Sequence, residues 1–225
     1  MKKNNVAMES KVYSYKNDEV EVTWDKNRCI HAKECVHGSP EVFDISKKPW
    51  INPSEAKSFE DLRRVIEACP TGALHYNFTD MGISESPDNV NTLSIETDGP
   101  LYARGDIHIV DMEDAVLMKD YRVAFCRCGA SSNKPFCDNS HIKAGFKAGE
   151  EYNPERLELE PSTETGGMLK AKLVPNGPVV VEGNYTLKGN EQSTDSQKKM
   201  SFCRCGASSN KPFCDGSHRD IDFKA

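Results

Sequence analysis

From residue 20 the chain alternates apolar and polar positions. Val20, Val22 and Trp24 fall on one side, as on a half-buried strand. Ser58 followed by Asp61 resembles a capping box, and Leu62, Val65, Ile66 and Cys69 recur at helical spacing, which predicts a helix over that stretch. Leu74-His75-Tyr76-Asn77-Phe78 alternates again, as a strand. Further along, short strands are expected at 93–95, 107–110 and 121–125, then at 169–174, 179–181, 184–187 and 199–202. The pattern predicts small β-rich units with little helix.

Those later strands belong to an internal repeat. Asp98-Gly99-Pro100-Leu101 through Gly105 matches Asn176-Gly177-Pro178-Val179 through Gly183 at an offset of 78. The run from Phe125 to Asp138 recurs from Phe202 to Asp215 at an offset of 77, and Phe146-Lys147-Ala148 recurs as Phe223-Lys224-Ala225. Two copies are too few for a solenoid. They suit a pseudo-symmetric pair, each copy playing one protomer of a two-fold dimer. The expected organisation is an N-terminal tail at 1–18, a first domain at 19–80 and a linker at 81–90. The first copy follows at 91–149, an acidic linker with six Glu at 150–167, and the second copy at 168–225. The fold class is α+β, a small α+β domain followed by the β-rich pair.

Composition narrows the possibilities. The net charge is −6, which argues against a nucleic-acid binder that relies on basicity and suits docking on positively charged partners. Apolar residues make up 37 % of the chain, below the ordinary share of about 45–50 %. Small cores need help from another source. The longest unbroken aliphatic run is Val179-Val180-Val181, so no membrane span is expected. The start has no apolar segment of the export type, and the expected location is the bacterial cytoplasm.

The nine cysteines form three groups of three: 29, 35 and 69, then 126, 128 and 137, then 203, 205 and 214. An odd number leaves one thiol over in any full disulfide set, so metal ligation is the natural reading. Each copy carries C-x-C-x2-S-x3-P-x-C-D-x-S-H. The candidate ligands are Cys126, Cys128, Cys137 and His141 in the first copy, and Cys203, Cys205, Cys214 and His218 in the second. A C-x-C pair can grip one metal, and C-x3-H spans one helical turn and can grip a second. Pro135 and Pro212 stiffen the return toward the third Cys. Zinc is the rival, although its usual spacing is C-x2–4-C.

This block resembles the signature of the CDGSH (NEET-type) iron–sulfur family. The second copy has it in full, as Cys214-Asp215-Gly216-Ser217-His218. The first has Asn139 where the signature has Gly, a mild departure if the position needs positive φ. The resemblance implies a [2Fe–2S] cluster in each copy, with the C-x-C thiolates on an inner iron and the third Cys and the His on an outer one. It also implies a two-fold pair, here an intramolecular pseudo-dimer. One imidazole in place of a thiolate raises the potential and makes cluster retention depend on pH. Asp138 and Asp215 are expected to cap or hydrogen-bond around the site. Arg127, Arg204, Lys134 and Lys211 read either as charge-offsetting groups or as solvated surface cations. Phe125, Phe136, Phe202 and Phe213 flank the ligands and shield them, or simply fill a small β core.

Cys29, Cys35 and Cys69-Pro70 fit the first, third and last ligand positions of a C-x2-C-x2-C…C-P run, with Ala32 at the second. Residues 19–80 thus resemble a divergent single-cluster bacterial-type ferredoxin. Three thiolates suit a [3Fe–4S] cluster, or a [4Fe–4S] cluster whose fourth iron takes water, His31 or Glu34. Zinc on Cys29, His31, Cys35 and His37 is the alternative, and it leaves Cys69-Pro70 unexplained. His31 and His37 otherwise read as loop surface, and His75 and His108 as strand residues that pack or face solvent.

The expectation is a non-catalytic protein with two [2Fe–2S] clusters and one [3Fe–4S] or [4Fe–4S] cluster. It would move single electrons with a redox partner protein, a reductase or acceptor. The alternative is storing, sensing or passing clusters to an apo acceptor. No nucleophile–base set, phosphate loop or flavin motif stands in the sequence, and no nucleic-acid or membrane partner is expected.

Overall fold

The computed structural model describes residues 10–79, 82–157 and 166–225. The parts of the expected tail and linkers at 1–9, 80–81 and 158–165 lie outside the described residues. The chain divides into two compact units, Glu9–Ser86 and one that contains Pro87–Ala225.

In the first unit, β1 (Val12–Lys16), β2 (Val20–Asp25), β3 (Leu74–Phe78) and β4 (Ile83–Ser84) form an antiparallel sheet in that order. A short α1 (Glu34–Gly38) and the longer α2 (Phe59–Glu67) complete it. The Ser58 hydroxyl accepts from the Asp61 N–H at 3.1 Å and starts α2. Leu62, Val65 and Ile66 then bury one helical face with Val20, Val22, Leu74, Tyr76 and Phe78.

Two expectations need correction here. Residues 12–16, read as frayed tail, pair with β2 in full register from Val12–Asp25 to Lys16–Glu21. The linker beginning at 81 is structured at 83–85: β4 pairs with β3, and buried Glu85 bonds His75 Nδ1 at 2.7 Å. β1 is held by backbone pairing together with Tyr13 stacked on Trp24 and Tyr15 set edge-on to Trp50, and β4 is two residues long, too short for an alternation to show in sequence.

The second unit contains β5 (Thr92–Ile95), β6 (Leu101–Val110), β7 (Val116–Phe125) and a short α3 (Ser140–Lys143) from the first copy. The second copy contributes β8 (Met168–Leu173), β9 (Val179–Glu182), β10 (Tyr185–Gly189), β11 (Gln192–Ser196) and β12 (Met200–Phe202). Their order is β11-β10-β5-β6-β8-β9-β12, with β7 on β6.

The pairing repeats itself at the sequence offset. Thr92 faces Arg104 and Ile95 faces Leu101 across β5 and β6, as Lys170 faces Glu182 and Leu173 faces Val179 across β8 and β9. The parallel contacts are reciprocal: β6 of the first copy lies along β8 of the second, and β10 of the second lies along β5 of the first. Each copy therefore gives a strand to the other. Neither copy completes its sheet alone, and one apolar core runs through both.

The acidic stretch was expected to be linker, yet its described part packs. Tyr152 and Leu157 are buried in the core, and the Tyr152 hydroxyl donates to the Leu187 carbonyl at 2.8 Å. Strand β11 has an all-polar sequence, Gln-Ser-Thr-Asp-Ser, and lies at the sheet edge. An edge strand with one neighbour needs no apolar alternation.

Candidate metal centres

Strand β7 delivers Cys126 at its end, and the returning loop is laced back beneath it. Cys126 N–H donates to the Pro135 carbonyl at 2.9 Å, and Cys137 N–H to the Ala124 carbonyl at 2.8 Å. The second copy repeats both bonds, from Cys203 to Pro212 and from Cys214 to Ser201, each at 2.8 Å. Asp138 accepts from the Ser132 and Ser140 amides, and Asp215 from those of Ser209 and Ser217. These aspartates tie the loop to the turn that carries the histidine. Asn139 sits at φ 68° and Gly216 at φ 96°, so the signature position does require positive φ, and Asn serves in place of Gly.

The donors come in pairs. The thiols of Cys126 and Cys128 lie 3.6 Å apart, and those of Cys203 and Cys205 also 3.6 Å. Cys137 Sγ lies 3.4 Å from His141 Nδ1, and Cys214 Sγ 3.4 Å from His218 Nδ1. Two ligands about 2.3 Å from one tetrahedral metal are separated by about 3.7 Å, so each pair fits one ion. Among the described residues no three His, Cys, Asp or Glu side chains converge on a single ion. Each copy offers two two-ligand grips.

Charge fits a cationic group. Burial pushes Cys137 up to about 11, and Cys205 likewise to about 11. In the hydrogen-bonded first pair, Cys128 holds Cys126 down to about 6, while Cys126 raises Cys128. The first thiol ionises readily, and the second needs a cation to follow it. Amide N–H groups of Ala130 and Asn139 point at the sulfurs of Cys128 and Cys137. Burial lowers His141, which keeps its imidazole neutral and able to ligate. Phe125, Phe136, Phe202 and Phe213 are all buried in the common core, as the core-packing reading requires.

Where the two copies meet, their C-x-C loops stand back to back. Cys128 and Cys205 form an antiparallel backbone bridge. Gly129 at φ 77° and Gly206 at φ 81° permit it, since a Cβ at 206 would lie 2.5 Å from the Cys128 carbonyl oxygen. This contact is missing from the sequence reading, which used those glycines only as part of the repeat.

In the first unit, Cys29, Cys35 and Cys69 line one cavity of about 560 Å³ together with Ala32. Cys35 rides on α1 and Cys69 follows the end of α2. Burial, and next the charge of Cys69, pushes Cys35 up to about 11. His31 and Glu34 also line the cavity, with His31 Nδ1 4.0 Å from Cys29 Sγ. His37 is exposed and does not join them, so the four-ligand zinc set is not assembled. Trp24 and Trp50 form part of the wall, and each buries an indole N–H that has no hydrogen-bond partner among the described residues. Three thiols around a roomy cavity with spare donors suit a polynuclear group with sulfur acceptors. Nothing in the sequence pattern beyond the strand position of Trp24 pointed to that wall.

Residues 15–78 match the family model of the divergent 4Fe-4S mono-cluster, and residues 98–142 and 176–219 each match the iron-binding zinc finger of CDGSH type. The chain belongs to these two iron–sulfur families. The mono-cluster domain precedes a tandem pair of CDGSH units. The uncharacterized protein YjdI of Escherichia coli strain K12 is 36 % identical over 62 residues, 28 % of this chain and 80 % of that protein. The CDGSH iron-sulfur domain-containing protein 1 of Rattus norvegicus is 37 % identical over 62 residues, 28 % of this chain and 50 % of that protein. No solved structure matches the chain significantly. This is an iron–sulfur protein, and no helix among its described residues is long and apolar enough to cross a membrane.

Proposed function

We propose that this chain is a non-catalytic one-electron carrier with two [2Fe–2S] clusters and one [3Fe–4S] or [4Fe–4S] cluster. The observation that carries the reading is the pairing of donors in each CDGSH unit, two thiols 3.6 Å apart and a thiol–imidazole pair at 3.4 Å. A mononuclear zinc site would need all four donors mutually close. Cys126, Cys128, Cys137 and His141 hold one cluster, and Cys203, Cys205, Cys214 and His218 the other. Cys29, Cys35 and Cys69 hold the third. When bound, such groups supply reversible one-electron storage.

The chain's own residues favour that use. The core phenylalanines keep water from the inner thiols, and the reciprocal strands and the Cys128–Cys205 bridge make the two CDGSH units a pseudo-dimer. The net charge of −6 suits docking on a basic face of a redox partner protein, a reductase or an acceptor. The test is iron, zinc and acid-labile sulfide per chain on anaerobically purified protein. About seven to eight iron and about eight sulfide are expected. Zinc without sulfide overturns the reading.

One observation favours a second reading, delivery of clusters to an apo acceptor protein. His141 and His218 are partly exposed, as are Cys128 and Cys214, while Cys126, Cys137, Cys203 and Cys205 are buried. Each histidine is therefore a donor that a partner can reach. Replacing both histidines, His141→Cys with His218→Cys, should slow transfer to an apo acceptor. An unchanged transfer rate removes this reading and leaves electron transfer.

A further inference from the structure

Three arginines beside cysteines are buried. Arg28, next to Cys29, is 4 % exposed, and Arg127 and Arg204, inside the C-x-C pairs, are 3 % and 4 % exposed. The surface-cation reading therefore fails for Arg127 and Arg204. All three direct guanidinium N–H groups at backbone carbonyls: Arg127 at Glu96 and Gly99, Arg204 at Val174 and Gly177, and Arg28 at Thr71. The Arg28 bond joins the segment of Cys29 to the turn that follows Cys69.

That turn is tied a second time, because the Asp25 N–H donates to the Ala73 carbonyl at 2.7 Å. Between the two ties the chain reverses at Gly72, with φ 63°. The reversal brings the Ala73 N–H to the Thr71 hydroxyl oxygen at 3.3 Å. A turn of this kind uses the oxygen, as acceptor, and leaves the hydroxyl proton to find its own partner. Thr71 is 3 % exposed, and a proton buried that far from bulk water pairs with a protein acceptor. Among the described residues the other polar atom in reach is Cys69 Sγ, at 3.6 Å. Cys69 and Thr71 both line the N-terminal cavity. A thiolate that ligates metal carries no proton, so in the loaded site the hydroxyl donates and the sulfur accepts.

We propose that Thr71 is a positioning residue that tunes the N-terminal centre, donating its hydroxyl proton to the Cys69 sulfur and so raising the reduction potential of the cluster held there. The proposal rests on the three-thiol cluster of the proposed function. A hydrogen bond to a ligand sulfur draws electron density from it and favours the state with one more electron. The two backbone ties and the stiff β-branched side chain hold the donor in one place. A threonine that merely closed the turn would act through its oxygen, and its proton would leave the potential untouched.

The test is an EPR-monitored redox titration of the full chain with sodium dithionite, which supplies one electron per cluster. The N-terminal wave is the one that Cys29→Ala with Cys35→Ala removes. Thr71→Val should lower that wave through an about tenfold fall in its reduction equilibrium, the scale of one hydrogen bond to a charged group, or about 59 mV for a one-electron couple. The waves of the CDGSH units should stay in place. Thr71→Ser keeps the hydroxyl and should restore the parent value. If the Val variant fails to hold the N-terminal iron, the smaller Thr71→Ala carries the same expectation. An unmoved wave in a loaded Val or Ala variant overturns the proposal. So does a Ser variant that falls with them, because the loss then follows shape and not the hydroxyl. Loss of the N-terminal iron from both Val and Ala, with Ser still loaded, assigns the hydroxyl to cluster retention and overturns tuning as well. A parent chain in which no wave depends on Cys29 and Cys35 refutes the third cluster itself, whatever residue 71 does.

Discussion

Gly206→Ala tests the back-to-back contact that joins the two CDGSH units. Gly206 sits at φ 81°, and an added Cβ would lie 2.5 Å from the Cys128 carbonyl oxygen and 2.9 Å from its carbonyl carbon. Two costs follow. A left-handed backbone costs an L-residue about 1–2 kcal/mol. Overlap with a backbone atom that has no rotamer to escape into costs about 1–3 kcal/mol more. The sum is about 2–5 kcal/mol. Gly145→Ala isolates the first part, because Gly145 has φ 63° and nothing within 4 Å of its Cβ position. It should cost only the first about 1–2 kcal/mol. With a urea slope of about 2 kcal/mol per molar, the Gly206→Ala midpoint falls by about 1–2.5 M, and the Gly145→Ala midpoint by about 0.5–1 M. The assay is urea unfolding of anaerobic holo protein, followed by far-UV circular dichroism and visible absorption. Equal midpoints for the two variants would mean that the Cys128–Cys205 approach does not exist as described.

Ala32→Cys should supply the missing fourth thiolate of the N-terminal site, so that iron settles at about eight per chain and survives exposure to air. Loss of one iron in air, unchanged from the parent, would show that residue 32 does not face the open corner. Cys35, Cys137 and Cys205 are pushed up to about 11 by burial, so they are protonated at pH 8 once metal leaves, whereas Cys126, held near 6, is not. Loading must expel those protons, so retention strengthens as pH rises toward about 11 and weakens as it falls. Chelator treatment at pH 8 in dilute buffer with an indicator dye should register proton uptake, and a flat trace contradicts it. Apo protein should lose its compact CDGSH region, because reciprocal strands and a modest core depend on the bound groups. Circular dichroism and proteolysis patterns identical to holo protein would sink that expectation.

The sequence carried the candidate donors that the structure pairs, and the architecture in part. Cysteine spacing named every thiol that the structure brings to a cavity or a pair, because ligand geometry restricts spacing tightly. Alternation located β2, β3 and β5, and the Ser58–Asp61 cap located α2. Strand β11 escaped because a polar edge strand is held by backbone hydrogen bonds, which have no residue signature, β4 because it is two residues long, and β1 because Val12, Tyr13 and Tyr15 do not strictly alternate. The buried side of Arg127 escaped for a related reason. Its partners are the carbonyls of Gly99 and Glu96, and any residue supplies a carbonyl. The strand exchange between copies was visible only as an offset of 78, which says that two copies exist and not which strands they trade.

Carrying both copies on one chain changes what the pair can become. In a dimer of identical chains every substitution appears twice, at both centres. Here it appears once, and the two copies already differ. The first runs β6 unbroken from Leu101 to Val110, while the second breaks the equivalent path at Gly183 into β9 and β10. The first has Asn139 and a short helix over His141, while the second has Gly216 and a run of turns over His218. The histidine-bearing turn sets how firmly the imidazole is held, so on the proposed two-cluster reading the two centres need not share one potential or one lability. A covalent pair can therefore assign different tasks to its halves while each half still completes the other's sheet.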